Sequence, residues 1–387
     1  MDKVIKLGLN KYPTIPHTLR SAPKLNEPAQ EISVGLAQLF HHYYLDTYGR
    51  RPPSPDPTQF EHVRFLLPTS DFRFQGGGLG ISTAARRSRS CELGQAFCRW
   101  FLHEHLNITY FAHMGDLLDR QLHRAFGGCS ISRVKSGDTP DYFCAESVDR
   151  VFLAEAKGRY TSIGFATKEF DGWREQFNRV QVLDAAGIPH SVKGHVVATR
   201  FATERDSAVV RTTLLAEDPQ SPGERPLDGE LARVLGSAII GSHYSRIAEK
   251  LDQPLLAAAL RNGITLPPEI LVPVVVWELA MPLFKGRRFV GGYFSPDDIP
   301  AFRVIDGKVV ANRNDPFRLD RPRATFFGVE EKIFRQIVMV CRSTGRFDEQ
   351  LNQLENIEAI YSGISMLRDG SIIGPAEFFL PVGTATL

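Results

Sequence analysis

The sequence predicts an α/β fold, and two alternating patterns along the chain predict it. Val151–Ala156 and His195–Phe201 are apolar runs with the length of buried strands. They alternate with Ser90–Leu106 and Thr167–Ala186, in which apolar residues recur at helical spacing. Helices alternating with buried strands indicate a central sheet that is covered by helices.

The composition is that of a globular chain with two or three domains. The 387 residues are 43% hydrophobic and 23% charged, with a formal net charge of +2. Because the net charge is close to zero, any nucleic-acid-binding surface has to be a local basic patch. The five cysteines show no paired spacing, which predicts a reducing, cytoplasmic environment. No stretch has the pattern of a signal peptide or a membrane span, so no membrane association is expected.

Residues 1–84 are predicted to form an N-terminal accessory region. Ala29–Tyr48 has the apolar spacing of a helix, and Phe60–Leu67 has the composition of a strand. Between them, the sequence RRPPSPDP at Arg50–Pro57 indicates an exposed loop or a boundary. The glycine run at Gln75–Gly80 lacks the lysine and hydroxyl residue that end a phosphate-binding loop, so it predicts a mobile loop beside the site.

Three elements are predicted between this loop and the candidate site. The helix at Ser90–Leu106 carries Glu92 in its first turn and follows the basic stretch AARRSRS. Asp116–Phe126 has helical spacing, and Ile131–Val134 is predicted to be the first strand of the central sheet. The preference for acidic residues in the first turn of a helix is sufficient to explain Glu92 without chemistry.

The stretch Gly137–Gly158 carries the residues that point to chemistry. Turn-forming residues precede Asp141, and a short strand follows it. Side chains alternate along a strand, so Glu155 and Lys157 emerge on the same face of the next strand. A hairpin that closes through Ser147–Arg150 brings Asp141 back beside Glu155. The sequence therefore predicts two carboxylates and one ammonium at a single place.

Such a group suits the hydrolysis of phosphodiesters. The acidic oxygens of Asp141 and Glu155 are ligands of the kind that Mg²⁺ or Mn²⁺ prefers. Lys157 beside them can orient or help deprotonate a water molecule, or neutralise charge that develops on the phosphoryl group. The alternative is a salt bridge on the surface of an ordinary hairpin, since Glu and Lys are frequent residues.

The same residues resemble the motif of the PD-(D/E)xK nucleases, which have the restriction-endonuclease-like fold. Pro140-Asp141 resembles the PD element, and Glu155-Ala156-Lys157 resembles the ExK element that follows an apolar strand. The resemblance implies that the aspartate and the glutamate are metal ligands and that the lysine is catalytic.

The resemblance covers residues 85–215 and implies roles beyond the hairpin. It implies a helix, two or three strands, a helix and a strand in that order. In this family a helix before the sheet often contributes an acidic residue to the metal site, which implies Glu92 as a third ligand. The helix after the ExK strand lies over the active site, which implies that Arg174 and Gln176 contact nucleic acid. The alternative for this helix is a solvated polar face.

Residues 216–387 are predicted to form a C-terminal α+β accessory domain. The predicted elements are helices within Leu227–Arg261 and at Val329–Cys341, and strands at Val272–Leu279, Arg288–Phe294 and Phe302–Val310. Basic residues lie near phenylalanines in this part of the chain, and such a combination suits a nucleic-acid backbone and exposed bases. The predicted nucleic-acid contacts are Arg287, Arg288, Arg321 and Arg323.

Taken together, the sequence predicts a nuclease that requires Mg²⁺ or Mn²⁺ and acts on DNA. Its expected fold is α/β, with a restriction-endonuclease-like core, a mixed central sheet flanked by helices, between N-terminal and C-terminal α+β accessory regions. The resemblance implies a role in host defence, such as antiviral defence, or in DNA processing, with a partner such as a helicase or a sensor protein. The alternative is a non-catalytic nucleic-acid-binding or scaffold protein that keeps the nuclease fold.

Overall fold

The computed structural model describes residues 2–47, 65–122, 128–219, 227, 229–281, 284, 286–294, 302–306, 308–311, 324–349, 351, 353 and 363–387. Within these ranges no helix has both the length and the apolar character needed to cross a membrane.

Seven α-helices are present in the described ranges. They are α1 (Leu36–Thr47), α2 (Thr83–Leu106), α3 (Met114–Leu117), α4 (Lys168–Arg174), α5 (Gly229–Lys250), α6 (Pro254–Asn262) and α7 (Glu331–Ser343).

The strands of the described ranges are numbered in chain order. They are β1 (Asp2–Asn10), β2 (Glu31–Gly35), β3 (Arg73–Phe74), β4 (Tyr110–His113), β5 (Gln121–Leu122), β6 (Cys129–Arg133), β7 (Tyr142–Ser147), β8 (Arg150–Arg159), β9 (Val180–Leu183), β10 (Pro189–His190), β11 (Gly194–Arg200), β12 (Ala202–Thr203), β13 (Thr213–Glu217), β14 (Pro273–Leu279), β15 (Arg288–Phe294), β16 (Phe302–Ile305), β17 (Lys308–Ala311), β18 (Thr325–Glu330), β19 (Ser365–Met366), β20 (Ser371–Pro375) and β21 (Phe379–Thr386).

A seven-stranded mixed sheet with the order β2-β1-β13-β11-β8-β7-β4 is the centre of the molecule. The pairs β1 with β13 and β8 with β11 are parallel, and the other neighbours are antiparallel. Helix α2 packs on β8 and β11, and helix α5 packs on β4, β7 and β8. The α/β class and the mixed central sheet flanked by helices are therefore confirmed.

The elements around the candidate site that belong to the central sheet or connect its strands follow in the order α2, β4, β7, β8, α4 and β11. Helix α3 and strands β5 and β6 lie between β4 and β7 in the chain, and β9 and β10 lie between α4 and β11. The three strands β4, β7 and β8 pair antiparallel in sequence, and β11 then lies parallel to β8. The parallel pair needs a crossover connection, which here includes α4.

The N-terminal strands belong to the same sheet as the candidate site. Strands β1 and β2 come from residues 1–84, and β1 pairs with β13. Phe72 packs edge-on against Phe97 of α2, with 5.2 Å between the ring centroids. The predicted boundary between residues 215 and 216 falls inside β13. The N-terminal region is thus part of the core layer, and the domain boundaries stay predictions.

The prediction of Ile131–Val134 as the first strand of the central sheet is wrong. That position is occupied by β4, which pairs with β7. Strand β6 lies instead in a separate four-stranded sheet with the order β10-β9-β6-β5. These residues do form a strand, but the strand with which they pair is decided by tertiary contacts and cannot be predicted from the apolar residues alone.

Two predicted helices are shorter in the structure than in the sequence pattern. Within Thr167–Ala186, helix α4 ends at Arg174, a 3₁₀ turn covers Glu175–Arg179, and β9 follows. The β-branched residues of β9 pair with β6, and this pairing overrides the helical spacing. Within Asp116–Phe126, α3 ends at Leu117 and β5 follows, while residues 123–126 lie outside the described ranges.

The N-terminal part of the predicted helix at Ala29–Tyr48 is a strand. In β2, Ile32 and Val34 are buried and alternate with more exposed residues, which is the spacing of a strand. Helix α1 begins directly afterwards. Most of the predicted strand at Phe60–Leu67, and the loop at Arg50–Pro57, lie outside the described residues.

The C-terminal region contains a second large sheet, and its α+β character is as predicted. Six antiparallel strands follow the order β19-β20-β18-β15-β14-β21. Helix α7 packs on β15 and β18, and Phe326 stacks on Phe379 with 3.9 Å between the ring centroids. The separate β16–β17 hairpin lies in the segment between β15 and β18.

Helix α2 approaches β8 so closely that the two backbones touch. A Cβ atom on Gly158 would lie 1.7 Å from the carbonyl oxygen of Ser90, and one on Gly94 would lie 2.4 Å from the amide nitrogen of Gly158. No side chain fits between these two elements. The glycine that directly follows Lys157 is therefore required by packing.

We expect Gly158→Ala to destabilise the protein by about 1–3 kcal/mol or more, because the added methyl group forces α2 away from the sheet. The free energy of unfolding, measured by urea denaturation, checks this expectation. Gly115→Ala is the matched control, since a Cβ atom there meets nothing within 4 Å. Equal stability of the two variants would contradict the close packing of α2 on β8.

Candidate active site

The hairpin of β7 and β8 brings Asp141 beside Glu155, as predicted. In this antiparallel hairpin Tyr142 pairs with Ala154. Asp141 directly precedes Tyr142, and Glu155 directly follows Ala154, so the two acidic residues lie across from each other. The Oδ2 atom of Asp141 accepts a hydrogen bond of 2.8 Å from the backbone N–H of Ala156. The aspartate is therefore fixed to the strand that carries the other two residues.

Glu155 is a carboxyl group in the interior of the sheet. The residue has no solvent exposure, and its strand neighbours are apolar. The Lys157 ammonium is in ion-pair contact with Oε1, but neither carboxylate oxygen receives a well-formed hydrogen bond from the described residues. Burial raises the pKa of the Glu155 carboxyl well above its usual range, and the charge of Asp141 adds to this rise, while Lys157 opposes it.

Lys157 connects the carboxyl pair with solvent. Its side chain is 29% exposed, whereas that of Glu155 is 0% exposed. Burial lowers the pKa of the Lys157 ammonium, but the carboxylates of Glu155 and Asp141 outweigh burial, and the pKa is raised. The side chain thus presents a cation to the outside while it contacts the acidic pair beneath.

A cleft of about 820 Å³ opens above Lys157. Its walls come from the first turns of α2, the end of β8, helix α4 and the 3₁₀ turn that follows. Five cationic side chains and two acidic ones line it; the cationic residues are Arg86, Arg87, Lys157, Arg159 and Arg179. The cleft is therefore a local basic patch on a chain of nearly neutral charge.

The glycine-rich stretch Gln75–Gly80 borders this cleft. The backbone N–H of Leu79 donates to the hydroxyl of Tyr160 over 2.9 Å, and that of Gly76 donates to Glu204 over 2.8 Å. The predicted position beside the site is thus observed. The predicted mobility of the loop stays a prediction.

Glu92 is not brought together with the two carboxylates of the hairpin. Its carboxylate accepts hydrogen bonds from Tyr43 and Ser88, and Arg89 forms an ion pair with it at 3.3 Å. Among the residues that the structure describes, no group of three His, Cys, Asp or Glu side chains has the arrangement of a metal site. The ligand role of Glu92 stays a prediction, and its contacts are those of a residue that stabilises α2.

The two polar residues predicted to contact nucleic acid from the helix after β8 have different surroundings. Arg174 makes two hydrogen bonds to Glu217, of 2.6 and 2.8 Å, and a third to the carbonyl of Phe165. Its guanidinium is thus engaged in holding α4 to β13. Gln176 lines the cleft and is only 4% exposed, and its Oε1 atom has no hydrogen-bond donor among the described residues.

Of the basic residues predicted in the C-terminal region, Arg287 and Arg288 do not line the cleft. Arg287 lies over the ring of Phe284, 5.9 Å from its centroid, and Arg288 is at the start of β15 and exposed. Arg321 and Arg323 lie outside the described residues. Their contacts with nucleic acid stay predictions.

The cleft arginines are lining residues that the sequence pattern did not assign to the site. Arg86 and Arg87 lie in the stretch AARRSRS, which is in the first turns of α2 because the helix begins at Thr83. Arg179 is 92 residues further along the chain and was read as part of a polar helix face. Only the basic run itself was a signal in the sequence.

No protein-family model, no curated protein and no solved structure matches this chain.

Removing the charge of Asp141 tests whether the two carboxylates interact. We expect Asp141→Asn to lower the pKa of Glu155, because the repulsion disappears while the amide oxygen can still accept the Ala156 N–H. The measurement is an NMR pH titration of the glutamate side-chain carboxyl carbons, with Glu155→Gln to assign the resonance. Asp138→Asn is the control, since Asp138 is exposed and does not contribute to the shift. A pKa of Glu155 that is the same in Asp141→Asn as in the wild type would contradict the arrangement.

Proposed function

We propose that this protein is a nuclease that requires Mg²⁺ or Mn²⁺ and hydrolyses phosphodiester bonds in DNA, with the restriction-endonuclease-like core of the PD-(D/E)xK nucleases. The observation that carries the proposal is the meeting of Asp141, Glu155 and Lys157, of which Lys157 lines a basic cleft. The order of α2, β4, β7, β8, α4 and β11, without the strands of the second, four-stranded sheet and the short helix α3, is the order that the resemblance implies.

The residues present fit a hard divalent cation. Asp141 and Glu155 supply acidic oxygens, and those of Glu155 are buried without well-formed hydrogen bonds. A cation between the two carboxylates would offset the repulsion that raises the pKa of Glu155. When bound, Mg²⁺ or Mn²⁺ supplies a Lewis acid that lowers the pKa of a water molecule and polarises the phosphate.

Lys157 and the basic cleft would supply what hydrolysis needs besides the metal, namely a cation at the phosphate and a surface that attracts the substrate. In the reaction a water oxygen forms a bond to phosphorus, the bond from phosphorus to one ester oxygen breaks, and the water proton ends on solvent or on the departing oxygen. Lys157 stands between the acidic pair and the cleft, where its ammonium can donate to the phosphate as negative charge develops. The basic walls of the cleft attract the polyanionic substrate.

We expect Asp141→Ala and Glu155→Ala each to abolish metal-dependent cleavage of DNA while the protein stays folded, because each variant lacks one of two ligands. Cleavage of plasmid, linear and single-stranded DNA is measured with Mg²⁺ and with EDTA, and folding is checked by circular dichroism. Glu175→Ala is the control, since that carboxylate is exposed and outside the cleft lining. Undiminished cleavage by either ligand variant would end the assignment. Binding of DNA without cleavage by the wild type under all conditions would favour the scaffold alternative.

A second experiment separates catalysis from metal binding. We expect Lys157→Ala to bind Mn²⁺ as the wild type does and to cleave about a hundredfold more slowly, because one electrostatic group at the phosphate is lost. Calorimetry gives the Mn²⁺ affinity, and single-turnover cleavage gives the rate. Lys168→Ala is the control, an exposed lysine outside the cleft lining. Loss of Mn²⁺ binding in Lys157→Ala to the extent seen in Glu155→Ala would show that the lysine is structural.

The biological setting rests on the resemblance alone. A role in host defence or DNA processing, and a partner such as a helicase or a sensor protein, remain proposals of the same origin.

A further inference from the structure

Three arginines at the cleft have no carboxylate partner in the described part of the chain. Arg86 donates to the carbonyl of Ile81 over 3.2 Å, and Arg179 donates to the carbonyl of Asp138 over 2.8 Å. Arg87 is exposed beside them. Each guanidinium carries five N–H donors, so all three retain donors that can bind phosphate oxygens. The N-terminus of α2, which lies at the cleft with Thr83, favours negative charge at the same place.

An aromatic ring lines the same cleft. Trp173 lines the cleft and is half-buried, and its indole packs on Phe170 with 5.0 Å between the ring centroids. Tyr160 also lines the cleft, but its hydroxyl is engaged by the backbone of Leu79. Trp173 is therefore a rigidly supported ring at the edge of a basic cleft, which is the combination that proteins use to stack unpaired bases.

Gln176 supplies an independent indication that a ligand enters this cleft. Its side chain is almost fully buried, and its Oε1 atom lacks a donor among the described residues. A buried amide oxygen without a hydrogen bond is energetically unfavourable, so such a group in a cleft wall points to a polar partner from outside. Base edges and sugar hydroxyls carry suitable donors.

We propose that the cleft binds a single-stranded segment of nucleic acid. Arg86, Arg87 and Arg179 hold its phosphates, Trp173 stacks on one base, and Gln176 accepts a hydrogen bond from a base or a sugar. The proposal deepens the proposed nuclease function, because the segment passes over Lys157 in the same cleft.

The preference for a single strand over a duplex follows from the position of the Trp173 ring in the cleft. In a duplex the faces of the bases are covered by their stacked neighbours, so an aromatic side chain in a wall reaches a base face only when that base is unstacked. The volume of about 820 Å³ lies in the range of about 300–1,000 Å³ that encloses small ligands, which is enough for a few nucleotides. Arg86 and Arg87 lie on α2, Trp173 lies on α4, and Gln176 and Arg179 lie on the 3₁₀ turn that follows α4.

The test measures binding by the full chain in EDTA, so that cleavage plays no part. Fluorescence anisotropy is recorded with labelled oligonucleotides of one sequence as single-stranded DNA, single-stranded RNA and duplex DNA, over a series of salt concentrations. We expect single strands to bind at least tenfold more tightly than the duplex. Replacing Arg86, Arg87 and Arg179 by Ala should reduce the slope of log affinity against log salt by about 0.7 for each lost phosphate contact. Arg335→Ala is the control, an exposed arginine on α7 that pairs with Glu331.

Tryptophan fluorescence gives a second readout for the stacking contact. The chain has three tryptophans, and Trp100 and Trp277 are only 2% and 4% exposed. Quenching on addition of a single strand therefore reports on Trp173. We expect Trp173→Ala to weaken single-strand binding about tenfold to a hundredfold, since one stacked base contributes about 1–3 kcal/mol. Trp173→Phe should keep most of the affinity and lose the quenching.

The outcomes separate this proposal from the nuclease proposal. Duplex binding as tight as single-strand binding, or unchanged affinity and quenching in Trp173→Ala, would overturn it even if the protein cleaves DNA. Single-strand binding that depends on these residues supports it even if no cleavage is found with Mg²⁺, and in that case the nuclease proposal alone fails. Equal affinity for single-stranded DNA and single-stranded RNA supports a site that distinguishes single strands from duplexes and does not distinguish the two sugars.

Discussion

The burial of Glu155 beside Asp141 is the constraint on which the central sheet is built. A carboxylate removed from water costs several kcal/mol unless charge and hydrogen bonds offset it. The Ala156 N–H donates a hydrogen bond to Asp141, and the Lys157 ammonium contacts Glu155. The glutamate oxygens nevertheless receive no well-formed hydrogen bond from the described residues. An apolar side chain at position 155 would suit the strand better. The proposed function rests on this feature, a carboxyl group kept in the interior where its charged form is disfavoured.

The C-terminal region is attached to the same core by a buried polar network. Asp369 accepts hydrogen bonds from His243 of α5, at 2.8 Å, and from Ser371, at 2.6 Å. His41 of α1 lies between the hydroxyls of Ser365 and Ser371, with both distances at 3.1 Å. All five side chains are buried and mutually hydrogen-bonded, and a satisfied network of this kind specifies one arrangement of the packed elements. The second sheet is therefore docked through polar contacts that have to form together.

The hairpin and its three site residues were predictable because the information is local. Alternation along a strand places Glu155 and Lys157 on one face, and turn residues before Asp141 and between the strands set the hairpin. Other parts depend on partners that are remote in sequence. Val180–Leu183 has the spacing of a helix but pairs with β6, which lies about 50 residues earlier. The cleft was not predictable for the same reason, since Arg179 and the arginines of α2 meet only after the chain has folded.

Helix α2 links the stability of the fold to the geometry of the cleft. Near its beginning it carries Arg86, and about one and two turns further on Ser90 and Gly94 touch the backbone of Gly158 without an intervening side chain. Backbone contact leaves the helix no room to slide or tilt, so the guanidinium group is held at a fixed distance from the end of β8, where Lys157 reaches the surface. A displacement of about 1 Å at a reacting group is enough to reduce a rate about a hundredfold. The close packing of Gly94 on Gly158, which itself lines the cleft, is thus a condition for holding the basic residues of α2 near Lys157.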